Sequence, residues 1–131
     1  MNGIVFLLTV ASLGHANGVS TYDFGGRAAR FVRIEKQRLT ISQNCAKKSG
    51  GELRCQAYRA FAGASLQGLT PKQSGPFEGR KAICSRSGGR IVIGQSPSQD
   101  ERSFCLFKDS SMVDLGSLYQ AALSRHIESS R

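Results

Sequence analysis

The chain has 131 residues, with 18 Lys and Arg against 9 Asp and Glu, a formal net charge of +9. That length suits one domain and excludes two of ordinary size. The charge predicts attraction to anionic surfaces without naming the anion.

Residues 1–16 contain no Lys, Arg, Asp or Glu. Ile4 to Ala11 form an apolar core, and Gly14 and Ala16 place small residues at the two positions a signal peptidase inspects. The segment therefore predicts a signal peptide cleaved after Ala16. Its apolar run falls short of the roughly 20 residues that span a bilayer, so no transmembrane anchor is expected. No Cys sits near the cleavage point to accept a lipid. The mature chain should be periplasmic or secreted, in an oxidising compartment where its four cysteines are disulfide candidates.

Residues 17–30 are polar and contain Gly25-Gly26, which predicts a flexible lead-in to a single small domain over 31–131. Between 31 and 43 the apolar positions fit either period: Val32/Ile34 and Leu39/Ile41 alternate, while 31, 34, 38 and 41 share a helical face. β-Branching favours strand. Ser49-Gly50-Gly51 breaks the pattern. Leu53, Ala57, Ala60, Phe61 and Ala64 then recur at three and four, predicting a helix over about 52–67 stopped by Gly68. Thr70 to Gly79 reads as a surface loop.

Pro76 suits the first turn of a short helix reaching Cys84, ended by Gly88-Gly89. Arg90 to Gly94 is a strand by its β-branched content, Gln95 to Arg102 a hairpin loop, and Ser103 to Phe107 the return strand. Asp109-Ser110-Ser111 offers N-cap side chains for a last helix over about 112–127, with Met112, Leu115, Leu118, Tyr119 and Leu123 at helical spacing. Phe104, Leu106 and Ile91/Ile93 should pack beneath Leu115, Leu118 and Tyr119. The expected fold class is α+β: a small disulfide-linked domain with an antiparallel β-hairpin packed against helices.

Cys45, Cys55, Cys84 and Cys105 allow three pairings. Cys45–Cys55 with Cys84–Cys105 is preferred, because each joins sequence neighbours. The Gly pairs let the chain reverse between the partners. Metal binding is the poorer reading: no C-x-x-C occurs, and His126 is the only histidine after residue 16. His126 falls in the last turn of a helix, where a cation suits the dipole, and no Ser-His-Asp or Cys-His arrangement forms around it. The carboxylates show no spacing of an acid–base pair, the Gly pairs match no phosphate loop, and aromatics do not interleave with cations as a base-stacking platform requires. No catalytic residue and no cofactor are assigned. The densest basic stretch, Arg27, Arg30, Arg33, Lys36 and Arg38, is the candidate anion-binding site, with Arg80, Lys81 and Arg86 as a comparison set.

Cys84-x-x-x-Gly88-Gly89, Arg90-Ile91-Val92-Ile93-Gly94 and Phe104-Cys105-Leu106-Phe107-Lys108-Asp109-Ser110-Ser111 together resemble a family of small bacterial envelope proteins, often lipoproteins carrying the label hemolysin. The resemblance covers residues 76–125. It implies an exported α+β domain, supports the Cys84–Cys105 pairing and supplies no active site. Ser110 stands where the family has a turn glycine. The family's Trp of the last helix and its lipidation Cys are missing.

The expected function is a non-enzymatic, basic binding module of the bacterial envelope, one that binds or inhibits another exported protein. Two alternatives remain. A cationic binder of wall polymer, lipopolysaccharide or nucleic acid would lose affinity steeply with salt. A small envelope hydrolase would bring two carboxylates together in a cleft.

Overall fold

The computed structural model describes residues 18–47 and 53–130. The predicted signal peptide and the break at 49–51 lie outside the described residues.

The sheet is larger than a hairpin. Strands β1 (Val19–Asp23), β2 (Ala28–Ile34), β3 (Leu39–Ser42), β4 (Arg90–Gln95), β5 (Glu101–Leu106) and β6 (Met112–Asp114) form a closed barrel in the order β1-β2-β3-β6-β5-β4. All neighbours are antiparallel. The ring closes between β4 and β1 through a single residue pair, Asp23 with Gln95. Among the described residues four α-helices accompany it: α1 (Gln43–Lys47), α2 (Gln56–Ala62), α3 (Pro76–Arg86) and α4 (Leu115–Ser129).

The expected flexible lead-in over 17–30 is corrected by this architecture, since it contains β1 and the start of β2. Gly25 and Gly26 take φ of +70° and +98°, and Asp23 Oδ2 accepts from the Gly26 amide at 3.1 Å. The glycines make a tight reversal inside a hairpin, where left-handed backbone is needed. Two helix boundaries also move. The helix expected over 52–67 ends at Ala62, capped by Gly63. The last helix begins at Leu115, because Met112–Asp114 pair with β5 and Val113 with Ile41 of β3.

Register assigns the two faces of the barrel wall, since directly opposed residues share a face. Phe31 and Phe104 lie on non-adjacent strands, yet stack at 4.3 Å, a contact that must cross the interior. Tyr22 meets both rings edge-on, at 5.7 and 5.1 Å, and Phe24 lies 5.5 Å from Phe104. These four aromatics fill the barrel. The outer wall carries Val32, Ile41, Cys105 and Val113, and the helices cover it with Ala57, Phe61, Ile83, Leu115, Leu118 and Ala122.

The expected core is therefore corrected in part. Leu115 and Leu118 are buried as foreseen, but Phe104 points into the barrel and the opposite face of β5 meets the helices. Ile91 and Ile93 stand on the outer wall and are left 39% and 55% exposed.

Both disulfides join sequence neighbours, Cys45–Cys55 and Cys84–Cys105. The Gly88-Gly89 pair divides its work. Gly88, at φ +90°, reverses the chain after α3. A Cβ on Gly89 would overlap the Cys105 sulfur and lie 3.0 Å from the Phe107 ring, so that position is left bare for the bridge.

The turn 109–111, expected to cap the last helix, caps α2 instead. Asp109 Oδ2 accepts from the Gln56 amide at 2.8 Å, and Ser111 Oγ from the Ala57 amide at 2.9 Å. Gln56 Oε1 in turn accepts from the Asp109 amide at 2.9 Å. The last helix is capped by Asp114, which accepts from the Ser117 amide at 3.1 Å.

Candidate binding site

The two chain reversals at the end of β2 and the start of α4 build one basic cleft. β2 runs out through Arg33 into a 3-10 turn, Glu35–Gln37, and Arg38 follows with φ +52°. Its amide donates to Glu35 O at 3.1 Å, which closes the turn. The first turn of α4 faces these residues, tied to the sheet by the Thr40 amide donating to Ser117 Oγ at 3.0 Å. From the other side α3 contributes Arg80, whose Cζ lies 6.0 Å from the Tyr119 ring centre. The result is a cleft of about 400 Å³ whose lining includes Arg33, Arg38, Arg80, Asp114 and Gln120.

Its charges are unequal. Arg33 is engaged, donating from Nε to Glu35 Oε2 at 3.3 Å and from Nη1 to Thr40 Oγ1 at 3.2 Å. Asp114, its side chain only 14% exposed, caps α4 and lies 3.8 Å from Nε of Arg102, the cation behind it. Among the described residues the guanidinium groups of Arg38 and Arg80 form no ion pair. A Cβ built on Gly116 would lie 3.9 Å from Arg80 Nη1, so that guanidinium reaches the first turn of α4, where backbone amides add positive potential. Two unpaired, exposed cations in a concave site attract a carboxylate or phosphate, and a guanidinium grips either in a bidentate fork.

A second recess adjoins the first, with Arg38 and Gln120 lining both. It measures about 370 Å³, and Tyr58, Phe61 and Ala121 make its apolar side. Tyr58 and Phe61 are one helical turn apart on α2, with rings 5.8 Å apart. Arg125, over Phe61 at 5.9 Å, is bound by the Phe61 and Ala64 carbonyls at 3.0 and 2.8 Å.

The basic residues singled out in the sequence are dispersed by the fold. Arg33 and Arg38 meet in the cleft. Arg27 sits in the β1–β2 turn, Lys36 in the 3-10 turn, and Arg30 in a different recess beside Ser42 and Asn44. Of the comparison set, Arg80 belongs to the cleft. Lys81 lies 3.8 Å from Glu78, and Arg86 holds the carbonyls of Ser65 and Gln67. Arg80 is more than 40 residues from Arg38 in sequence, and only the docking of α3 beside α4 unites them.

A larger concavity, about 930 Å³, runs between residues 62–69 and the end of α4 past Arg125, His126 and Ser129. Arg125 is already committed to backbone there. Among the described residues no group of three His, Cys, Asp or Glu could hold a metal, and no helix is long and apolar enough to cross a membrane. The two disulfides suit an oxidising compartment. Comparison with protein-family models, curated proteins and solved structures finds no match.

Proposed function

We propose that this protein is an exported, non-enzymatic binding module of the bacterial envelope, and that it engages an anionic segment of another exported protein. The observation that carries this reading is the meeting of Arg38 and Arg80, which form no ion pair among the described residues, with Arg33, which Glu35 holds, in one cleft whose lining carboxylate, Asp114, is committed to a helix cap. Export is supported by the apolar leader and the disulfides, and the envelope by the resemblance over 76–125.

The test is binding of the purified, disulfide-bonded protein to an acidic probe, a fluorescein-labelled octaglutamate, across a salt series. Affinity should fall as salt rises. Charge reversal at Arg38 or Arg80 should weaken binding at least tenfold, and reversal at Arg27 or Lys72, both exposed and outside the cleft, by less than threefold. Equal losses at all four positions would mean attraction by net charge alone and would overturn the reading.

A further inference from the structure

Resting on that reading, we infer that the two recesses act as one bipartite groove for a peptide segment. An Asp or Glu would enter the arginine cleft and a neighbouring apolar side chain would enter the Tyr58–Phe61 recess. Three observations point to this occupant. The recesses are contiguous, with Arg38 and Gln120 forming a wall common to both. Their chemistries differ: one presents Arg33, Arg38 and Arg80, the other the exposed portions of Tyr58, Ala62 and Ala121. Each volume, about 400 and 370 Å³, lies at the low end of the roughly 300–1,000 Å³ usual for small-molecule sites. Each therefore has room for an anchoring side chain together with the backbone that carries it.

A repeating polyanion would use only the basic half and leave the aromatic half wet. An acidic and apolar pair fills both. The apolar contact supplies hydrophobic energy that salt does not screen, and the guanidinium pair fixes the direction of the segment. Because the recesses share a wall, the two anchoring residues should be adjacent or separated by one or two positions. Arg38 touches both halves, so it is the residue on which discrimination turns.

Selection of random heptapeptides displayed on phage against the intact protein tests this, followed by fluorescence anisotropy on the recovered peptides. The recovered sequences should carry Asp or Glu within three positions of Phe, Tyr, Leu or Ile. Exchanging the acid for its amide, or the apolar residue for Ser, should each weaken binding about tenfold. Tyr58→Ser should weaken the parent peptide and leave the Ser-substituted peptide unchanged, whereas Arg80→Ala should weaken both. Tyr58→Phe, which removes only a hydroxyl bonded to Gln37 Oε1 at 3.3 Å, should bind as the parent does and so controls for folding. Recovery of no peptide, or of acidic peptides indifferent to the apolar substitution, overturns the bipartite groove. So does tighter binding of inorganic polyphosphate than of any peptide. In the latter two cases, sensitivity to Arg38 and Arg80 would leave the basic cleft standing, and loss of that sensitivity would remove both.

Discussion

Phe104→Ala is the sharpest probe of the barrel. The side chain is fully buried among three other rings, stacked on Phe31 at 4.3 Å with Tyr22 at 5.1 Å and Phe24 at 5.5 Å. Burying a Phe contributes up to about 3 kcal/mol, and the cavity left by truncation raises the cost of Phe→Ala to about 3–5 kcal/mol. Against a usual domain stability of about 5–15 kcal/mol, that is a large fraction. At about 4 °C per kcal/mol for a domain of this size, the melting midpoint should fall by about 12–20 °C. Ile93→Ala is the matched control. At 55% exposure on the outer wall of β4 it should cost about 0.5 kcal/mol or less. Urea denaturation with the disulfides intact measures both. Similar losses from the two substitutions would mean that β4 presents its isoleucines to a helix, and the assignment of inner and outer faces would be wrong.

Two further substitutions test local geometry. Ser110 holds φ +72°, where a side chain is strained, so Ser110→Gly should raise stability by about 0.5–1 kcal/mol, read as a higher urea midpoint. Gly89→Ala should destabilise by about 1–3 kcal/mol, because its methyl would overlap the Cys105 sulfur of the Cys84–Cys105 bridge and crowd the Phe107 ring. An unchanged midpoint for Gly89→Ala would show that the bridge can shift aside.

Local signals carried part of this fold. Pro76 marks the start of α3, and Gly88-Gly89 its end. The β-branched run 90–94 marks a strand, and neighbouring cysteines pair. What was hidden depends on closure. β1 reads VSTYD, with Tyr22 as its one large inward side chain. A small barrel needs little more from each strand, so the usual alternation is too faint to distinguish from a loop. Met112–Asp114 shows helical spacing with the residues after it, and only pairing with β5 and β3 makes it strand. Asp109 and Ser111 look like caps for the next helix, yet serve one 53 and 54 residues back. Arg33 and Arg38 were visible as part of a basic stretch. Arg80 was not, because nothing in the sequence states that α3 and α4 lie side by side.

The covalent map and the sheet map do not coincide. Both bridges fall on the helical side: one joins α1 to the residue before α2, the other joins α3 to β5. The hairpin of β1 and β2 lies outside both loops, and on its β1 side a single residue pair completes the ring. Opening the seam between Asp23 and Gln95 breaks no cross-link and one residue pair of the ladder, and parts Tyr22 and Phe24 from Phe104, so β1 is where local opening should begin. Amide hydrogens of β1 should exchange with solvent well before those of β5. The aromatic interior is thus sealed by a door, β1, hinged on β2, while the helical half, clasped by two cystines, stays shut.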